Sequence, residues 1–161
     1  MLNQDQDILN RANDWLMAGY KVQLFTVVNT WGSSPRPPGS LMALREDGHV
    51  VGSVSGGCIE DDLILRARDG EALRVPQIIS YGVDADEARR FGLPCGGTMR
   101  LVQEPLTTDS GLDALLSRLG QGEIVTRTLD LNTGTVNLHT AHEGETLSCD
   151  ETQFSNVFGP R

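Results

Sequence analysis

Apolar residues recur at helical spacing in several stretches of the chain. Within residues 5–18 they fall on one face, and Gly19 follows as a natural C-terminal cap, so this stretch predicts a helix. That face consists of Ile8, Leu9, Ala12, Trp15 and Leu16. Further helices are predicted near Cys58–Asp69, at Asp84–Phe91 and at Leu112–Leu119.

Shorter runs rich in β-branched residues predict strands, because turn residues bound each of them. Val22–Val28 is a continuous run rich in β-forming residues and predicts a buried strand. Leu41–Leu44 and His49–Val54 predict a β-hairpin across a Glu-Asp-Gly turn. The other predicted strands are Gln77–Tyr81, Thr98–Glu104, Glu123–Asp130, Thr135–His139 and Gln153–Phe158. Hairpins combined with strand–helix units predict an α/β fold, with a mixed β-sheet and a few flanking helices in a single compact domain.

Charge and length narrow the possible functions. The 161 residues include 13 Lys and Arg against 22 Asp and Glu, which gives a net charge of −9. This balance argues against general binding to nucleic acid or to an anionic membrane, because the field of the protein repels both. The length predicts one domain over residues 1–161. Neither a membrane span nor a secretory signal is visible, so we expect a cytoplasmic protein.

Two of the three cysteines lie beside glycine pairs, in mirror order: Gly56-Gly57-Cys58 and Cys95-Gly96-Gly97. Glycine pairs permit positive φ and can turn several backbone N–H groups toward an anion. A thiol at the start of a predicted helix, such as Cys58, has its thiolate favoured by the helix dipole, although the acids at 60–62 oppose this. The alternative is that both cysteines are small buried residues and the glycines serve tight turns.

The spacing of the possible metal ligands gives little support for a zinc site. The chain has no Cys-x-x-Cys pair, and Cys58, Cys95 and Cys149 are far apart in sequence. His139 and His142 are the only closely spaced histidines.

A loop rich in proline follows the first predicted strand, at residues 31–40. Three prolines stiffen it, so Arg36, Ser33 and Ser34 would be held at low entropic cost. A fixed guanidinium beside hydroxyl groups suits a phosphate monoester. The alternative is a structural Ω-loop in which Arg36 pairs with a carboxylate; long irregular loops more often carry function.

Several common enzyme motifs are absent from the sequence. It contains no Gly-x-Gly-x-x-Gly, no Gly-Lys-Ser/Thr and no Gly-x-Ser-x-Gly. Dinucleotide-dependent redox chemistry, ATP hydrolysis and serine esterase chemistry therefore have no support.

Three rare segments in order, Thr30–Ser40, Gly52–Glu60 and Gly92–Gly97, resemble the signature of the xanthine dehydrogenase accessory factor family, XdhC/CoxI. The resemblance is strong over residues 10–105. It implies a molybdenum cofactor chaperone, which binds the molybdopterin form, supports its sulfuration by a cysteine desulfurase and passes it to a xanthine dehydrogenase-type molybdenum hydroxylase. Typical members continue into a second, Rossmann-type domain, which is absent from this sequence, so nucleotide binding is not carried over.

By this resemblance, Cys58 and Cys95 are the candidates to contact the cofactor or its molybdenum centre. Soft thiolates suit a sulfur-rich metal centre. Gly56, Gly57, Gly96 and Gly97, together with Arg36, Ser33 and Ser34, would line the same site, with N–H groups and the guanidinium toward the phosphate.

The resulting prediction is an accessory protein without catalytic residues of its own, acting as a homodimer. Two alternatives remain. The first is a cysteine-dependent sulfur-transfer enzyme, which requires one thiol of depressed pKa. The second is a docking domain that recruits the hydroxylase and binds no small ligand.

Overall fold

The structure is a computed structural model that describes residues 4–31, 37–54, 58–69, 74–81 and 98–160. The helices in these ranges are α1 (Gln4–Met17), α2 (Cys58–Asp69) and α3 (Leu112–Gly120), with a short 3-10 helix at Thr108–Ser110. The strands are β1 (Val22–Trp31), β2 (Leu41–Arg45), β3 (Val50–Gly52), β4 (Gln77–Tyr81), β5 (Thr98–Leu106), β6 (Val125–Asp130), β7 (Val136–Thr140), β8 (Ser148–Cys149) and β9 (Gln153–Phe158). Among the helices described, none has the length and apolar character needed to cross a bilayer.

Five strands form the first sheet, in the order β3-β2-β1-β5-β4. Every pair is antiparallel. β1 is the central strand and is buried on both faces, because its side chains alternate between two cores. Phe25 and Val27 enter one core, whereas Leu24 and Val28 enter the packing on the opposite face.

Helix α2 covers one face of this sheet. Its Ile59 and Leu63 are 0% and 1% exposed. They pack against residues of β1, β2, β4 and β5. The strand residues in this core are Phe25, Val27, Met42, Leu44, Ile79, Tyr81, Met99 and Leu101. The packing fixes the position of α2 over the sheet.

Helices α1 and α3 cover the opposite face. The amphipathic face of α1 buries Ile8, Leu9, Ala12 and Trp15, as the spacing of its apolar residues predicts. α3 contributes Leu112, Leu115 and Leu119 to the same core. Both helices therefore pack on the side away from α2.

The second sheet has the order β7-β6-β9-β8 and is also antiparallel. It packs against the first sheet through a small core of Val28, Val102, Leu129, Leu131 and Phe154. A buried ion pair joins the two sheets as well, because Arg127 of β6 donates through Nη1 to Glu104 Oε1 of β5 at 2.9 Å. The side chains of this pair are 4% and 3% exposed.

The predicted α/β class is confirmed, and the described strands form two antiparallel sheets where one mixed sheet was expected. Short turns explain the antiparallel pairing of β2 with β3, of β6 with β7 and of β8 with β9, because strands joined by a few residues can only pair antiparallel. The turn between β2 and β3, with Gly48 at φ 95°, is an example. The short strand β8 and the 3-10 helix were not predicted from the sequence, and the helix predicted at Asp84–Phe91 lies outside the described residues.

Candidate functional site

The first and third motifs adjoin paired strand ends. Trp31, the last residue of β1, pairs with Thr98, the first residue of β5. β1 ends at Trp31, within the first motif, and Gly97 of the third motif directly precedes Thr98 in the sequence. Both motifs are therefore tethered to one edge of the first sheet.

The second motif leaves the sheet at the same edge. Gly52, the last residue of β3, pairs with Met42 near the start of β2. Tyr81, the last residue of β4, pairs with Met99 near the start of β5. At this end of the sheet β1, β3 and β4 finish and β2 and β5 begin. We call this row of strand ends the motif edge, because all three motifs adjoin it.

The described end of the first motif is fastened to β1. The N–H of Gly39 donates to the carbonyl of Val27 at 2.7 Å, and the N–H of Val27 donates to the carbonyl of Ser40 at 3.0 Å. The Ser40 hydroxyl donates to the carbonyl of Pro37 at 2.8 Å. The bonds hold residues 37–40 against the motif edge, where the chain enters β2.

Two clefts adjoin this edge on the α1 side. The larger, of about 430 Å³, lies between residues 37–40, Asp5 and the second-sheet residues Thr146, Leu147, Asn156 and Val157. The smaller, of about 300 Å³, is lined by Gln4, Asp5, Ile8, Ser40, Leu41, Gly52 and Ser53. Described residues of the first two motifs thus line concave surface of the size that small ligands occupy.

Asp5 lines both clefts, and burial raises the pKa of its carboxyl group above the usual value. A half-buried carboxylate offers two acceptor oxygens to a ligand that donates hydrogen bonds. Nothing in the sequence singles out Asp5, because acidic residues are common in the first turn of a helix, where the helix dipole favours them.

The raised pKa has a measurable consequence. Since the folded-state pKa of Asp5 lies above its unfolded value, its ionisation costs stability above that pKa, and the cost disappears as the pH falls through it. We expect a carboxyl NMR titration to show Asp5 protonating at a higher pH than Asp150, whose pKa the Thr152 N–H lowers. Coincident titration of the two groups would contradict the burial of Asp5.

The start of α2 is positioned by its packing and by a side-chain bond. The Tyr81 hydroxyl at the end of β4 donates to Asp62 Oδ2 at 2.6 Å. Tyr81 is 0% exposed, so this bond joins the end of β4 to the first turns of α2 from inside the core. Cys58 is the first residue of α2, as the sequence predicts, and its side chain lies outside the described part.

The other residues of the predicted site lie outside the described ranges. They are Ser33, Ser34, Arg36, Gly56, Gly57, Cys95, Gly96 and Gly97. Their placement at one site, and the contact of Cys58 and Cys95 with molybdenum, stay predictions. What the structure brings together is the described strand ends next to them.

The third cysteine has none of the features of a reactive thiol. Cys149 lies in β8, is partly buried beside the core of the second sheet, and has its pKa raised by burial. A raised pKa keeps the thiol protonated and unreactive near neutral pH. This agrees with the sequence analysis, which gave Cys149 no role in the site.

Comparison with known proteins supplies independent information. Residues 15–82 match the model of the XdhC and CoxI family, a range that contains the first two motifs. Over 121 residues the chain is 35% identical to the molybdenum cofactor insertion chaperone PaoD of Escherichia coli K12, covering 75% of this chain and 38% of that protein. Over 88 residues it is 27% identical to a probable xanthine dehydrogenase subunit of Bacillus subtilis 168, covering 53% of this chain and 27% of that protein.

A solved structure shares the fold. A crystal structure of a xanthine dehydrogenase from Bacillus halodurans superimposes with a TM-score of 0.72 over 98% of this chain and 53% of that chain, at 23% identity. At this identity the likeness concerns the fold. The chain spans about half of that structure and well under half of the two curated relatives.

Proposed function

Because this chain carries a segment of the XdhC and CoxI family, we propose that it binds molybdenum cofactor as cargo and assists its insertion into a xanthine dehydrogenase-type hydroxylase. The name of the E. coli relative, a cofactor insertion chaperone, supports the cargo and an accessory role without catalysis. The name of the B. subtilis relative supports the class of client enzyme.

The observation that carries this proposal is the motif edge. Three segments that are separate in sequence are tethered to neighbouring strand ends, and such convergence is expected of segments that form one site. If the glycines of the motifs served only tight turns, the three segments would not need to lie at the same edge of the sheet. The two clefts beside the edge supply concave surface next to the described motif residues.

In the proposed site, the Cys58 and Cys95 thiolates contact the molybdenum centre, because soft sulfur ligands suit it. The backbone N–H groups of the two glycine pairs and the Arg36 guanidinium hold the phosphate, with Ser33 and Ser34 beside them. Asp5 accepts hydrogen bonds from the N–H groups of the cofactor's ring system in the adjoining cleft.

The family resemblance adds further parts to the proposal, which concern sulfuration, location, oligomeric state and domain organisation. The bound molybdopterin form is sulfurated with the help of a cysteine desulfurase, and the chain works in the cytoplasm as a homodimer. Residues 1–161 act as one domain of the XdhC/CoxI N-terminal type. Each step is separable from cofactor binding and can be measured on its own.

The proposal is tested by anaerobic binding of molybdenum cofactor, with ultrafiltration to separate bound from free ligand. We expect Cys58→Ala and Cys95→Ala each to weaken binding by about 10-fold or more, equivalent to about 1.4 kcal/mol, because each removes a ligand of the metal centre. Cys149→Ala is the matched control and should bind like the native chain, since its thiol lies in β8.

The alternatives give different results in the same experiment. A sulfur-transfer enzyme predicts one thiol that is alkylated much faster than the other and one variant that retains binding. A docking domain predicts no cofactor binding by the native chain and an unchanged affinity of both variants for the hydroxylase. Either result would overturn the chaperone proposal.

A further inference from the structure

A cluster of metal-ligating side chains lies on the second sheet, outside the three motifs. His139 belongs to β7, and His142 and Glu145 lie in the turn that follows. The ligand atoms of the three side chains are all within 4.8 Å of one another. We propose that His139, His142 and Glu145 form a Zn²⁺ site with two imidazole ligands and one carboxylate ligand.

The backbone brings the ligands together before any metal binds. The N–H of Glu145 donates to the carbonyl of His142 at 3.0 Å, which closes a four-residue turn with Gly144 at φ 76°. Only glycine adopts this φ without strain, so Gly144 is needed to return the chain. The N–H of Ala141 donates to the carbonyl of Ile124 at 2.9 Å and ties the start of the turn to the chain before β6.

The geometry of the cluster fits a tetrahedral ion. Metal–ligand distances of about 2.0–2.2 Å place neighbouring ligand atoms about 3.3–3.6 Å apart. His139 Nε2 already lies 3.3 Å from Glu145 Oε2, and the rings of His139 and His142 have centroids 5.3 Å apart. The ligand atom of His142 lies within 4.8 Å of the other two, so a movement of this side chain toward them brings three ligands to one ion. Two His with one Glu leave a fourth position for water.

Charge and access also suit a cation. The Glu145 carboxylate accepts a hydrogen bond from the backbone N–H of His142 at 2.9 Å, which holds the carboxylate beside the two imidazoles. The His139 side chain is 43% exposed, so an ion can reach it from solvent. The net charge of −9 favours the approach of cations.

The neighbouring guanidinium does not compete for the site. Arg118 donates to Thr140 Oγ1 at 2.9 Å and pairs with Glu123 at 3.1 Å. Thr140 and His139 are successive strand residues, so their side chains project to opposite faces of β7. The positive charge of Arg118 is thus directed to the other face and matched by Glu123.

The site is tested with Zn²⁺ by calorimetry and with Co²⁺ by absorption spectroscopy, on the metal-free native chain under reducing conditions. We expect His142→Ala and Glu145→Gln each to weaken Zn²⁺ binding by about 10-fold or more. His142→Ala leaves the turn intact, because the bond to Glu145 uses the backbone N–H. His49→Ala removes the third histidine of the chain, which is exposed beside the β2–β3 turn, and should leave binding unchanged.

Co²⁺ separates this site from any thiolate site. Binding at His139, His142 and Glu145 gives visible d–d bands without a cobalt–thiolate charge-transfer band, and it broadens the amide NMR signals of residues 139–146. The proposal is overturned if Zn²⁺ affinity changes less than about twofold in both variants, or if the bound Co²⁺ shows only thiolate coordination.

Discussion

Replacing Arg127 with methionine should lower the free energy of unfolding by about 3–5 kcal/mol, because it leaves the carboxylate of Glu104 buried without its partner. The guanidinium also donates from Nε and Nη2 to the carbonyl of Ser110, at 3.2 Å and 3.0 Å. One side chain therefore ties β6 to β5 and to the short 3-10 helix. Denaturation by urea, followed by circular dichroism, measures the change.

A double variant tests whether the unpaired carboxylate of Glu104 causes the loss of stability. Glu104→Leu combined with Arg127→Met replaces the ion pair with apolar side chains of similar size, and we expect it to be more stable than Arg127→Met alone. Arg118→Met is the matched control: its pair with Glu123 is 27% and 35% exposed, so it should cost less than about 1 kcal/mol. Equal costs at Arg118 and Arg127 would show that burial does not control the effect.

The ion pair also bears on the candidate site. The larger cleft lies between residues 37–40 and the second-sheet residues Asn156 and Val157. Arg127 pairs across β6 and β9 with Asn156. Loss of the link between the sheets should therefore disturb the wall of this cleft, and Arg127→Met should weaken cofactor binding as well as stability.

Gly52→Ala should lower the free energy of unfolding by about 2–6 kcal/mol, combining strain at positive φ with overpacking. Gly52 has φ +83°, and a Cβ there would overlap the backbone oxygen of Leu41 and lie 2.7 Å from Ile8 Cδ1. That oxygen already accepts the N–H of Ser53 at 3.0 Å. The new methyl group would have to push apart β2, β3 and α1.

Gly48→Ala separates the two contributions. Gly48 has φ +95° with nothing within 4 Å of an added Cβ, so alanine there meets strain alone, at about 1–2 kcal/mol. Costs within about 0.5 kcal/mol of each other in the two variants would contradict the close contact at Gly52. A larger cost at Gly52 would mean that the first glycine of the second motif serves the fold rather than a ligand.

Local pattern accounts for much of what could be predicted. The spacing of apolar residues predicts the helix α1, and the β-rich run from Val22 to Val28 predicts a buried strand. The structure confirms both predictions. The family resemblance came from the same kind of information, since residues 15–82 contain two of the three rare motifs. Neither conclusion needed to know which strands are neighbours.

The pairing of strands, by contrast, depends on contacts between residues far apart in the chain. Nothing in the sequence separates one mixed sheet from two antiparallel ones, because the alternation of a strand gives its faces and not its partners. The link between Glu104 and Arg127 and the place of Asp5 in two clefts follow only from that pairing.

The sequence by itself thus determined most of the described helices and strands, the α/β class and the three motifs with their family resemblance, because each is visible in residues close together in the chain. Only the tertiary structure decided that the motifs adjoin one sheet edge and that Glu145 joins His139 and His142. Strand pairing and turn geometry bring these residues together. Both depend on the packing of the whole core, which involves residues far apart in the chain.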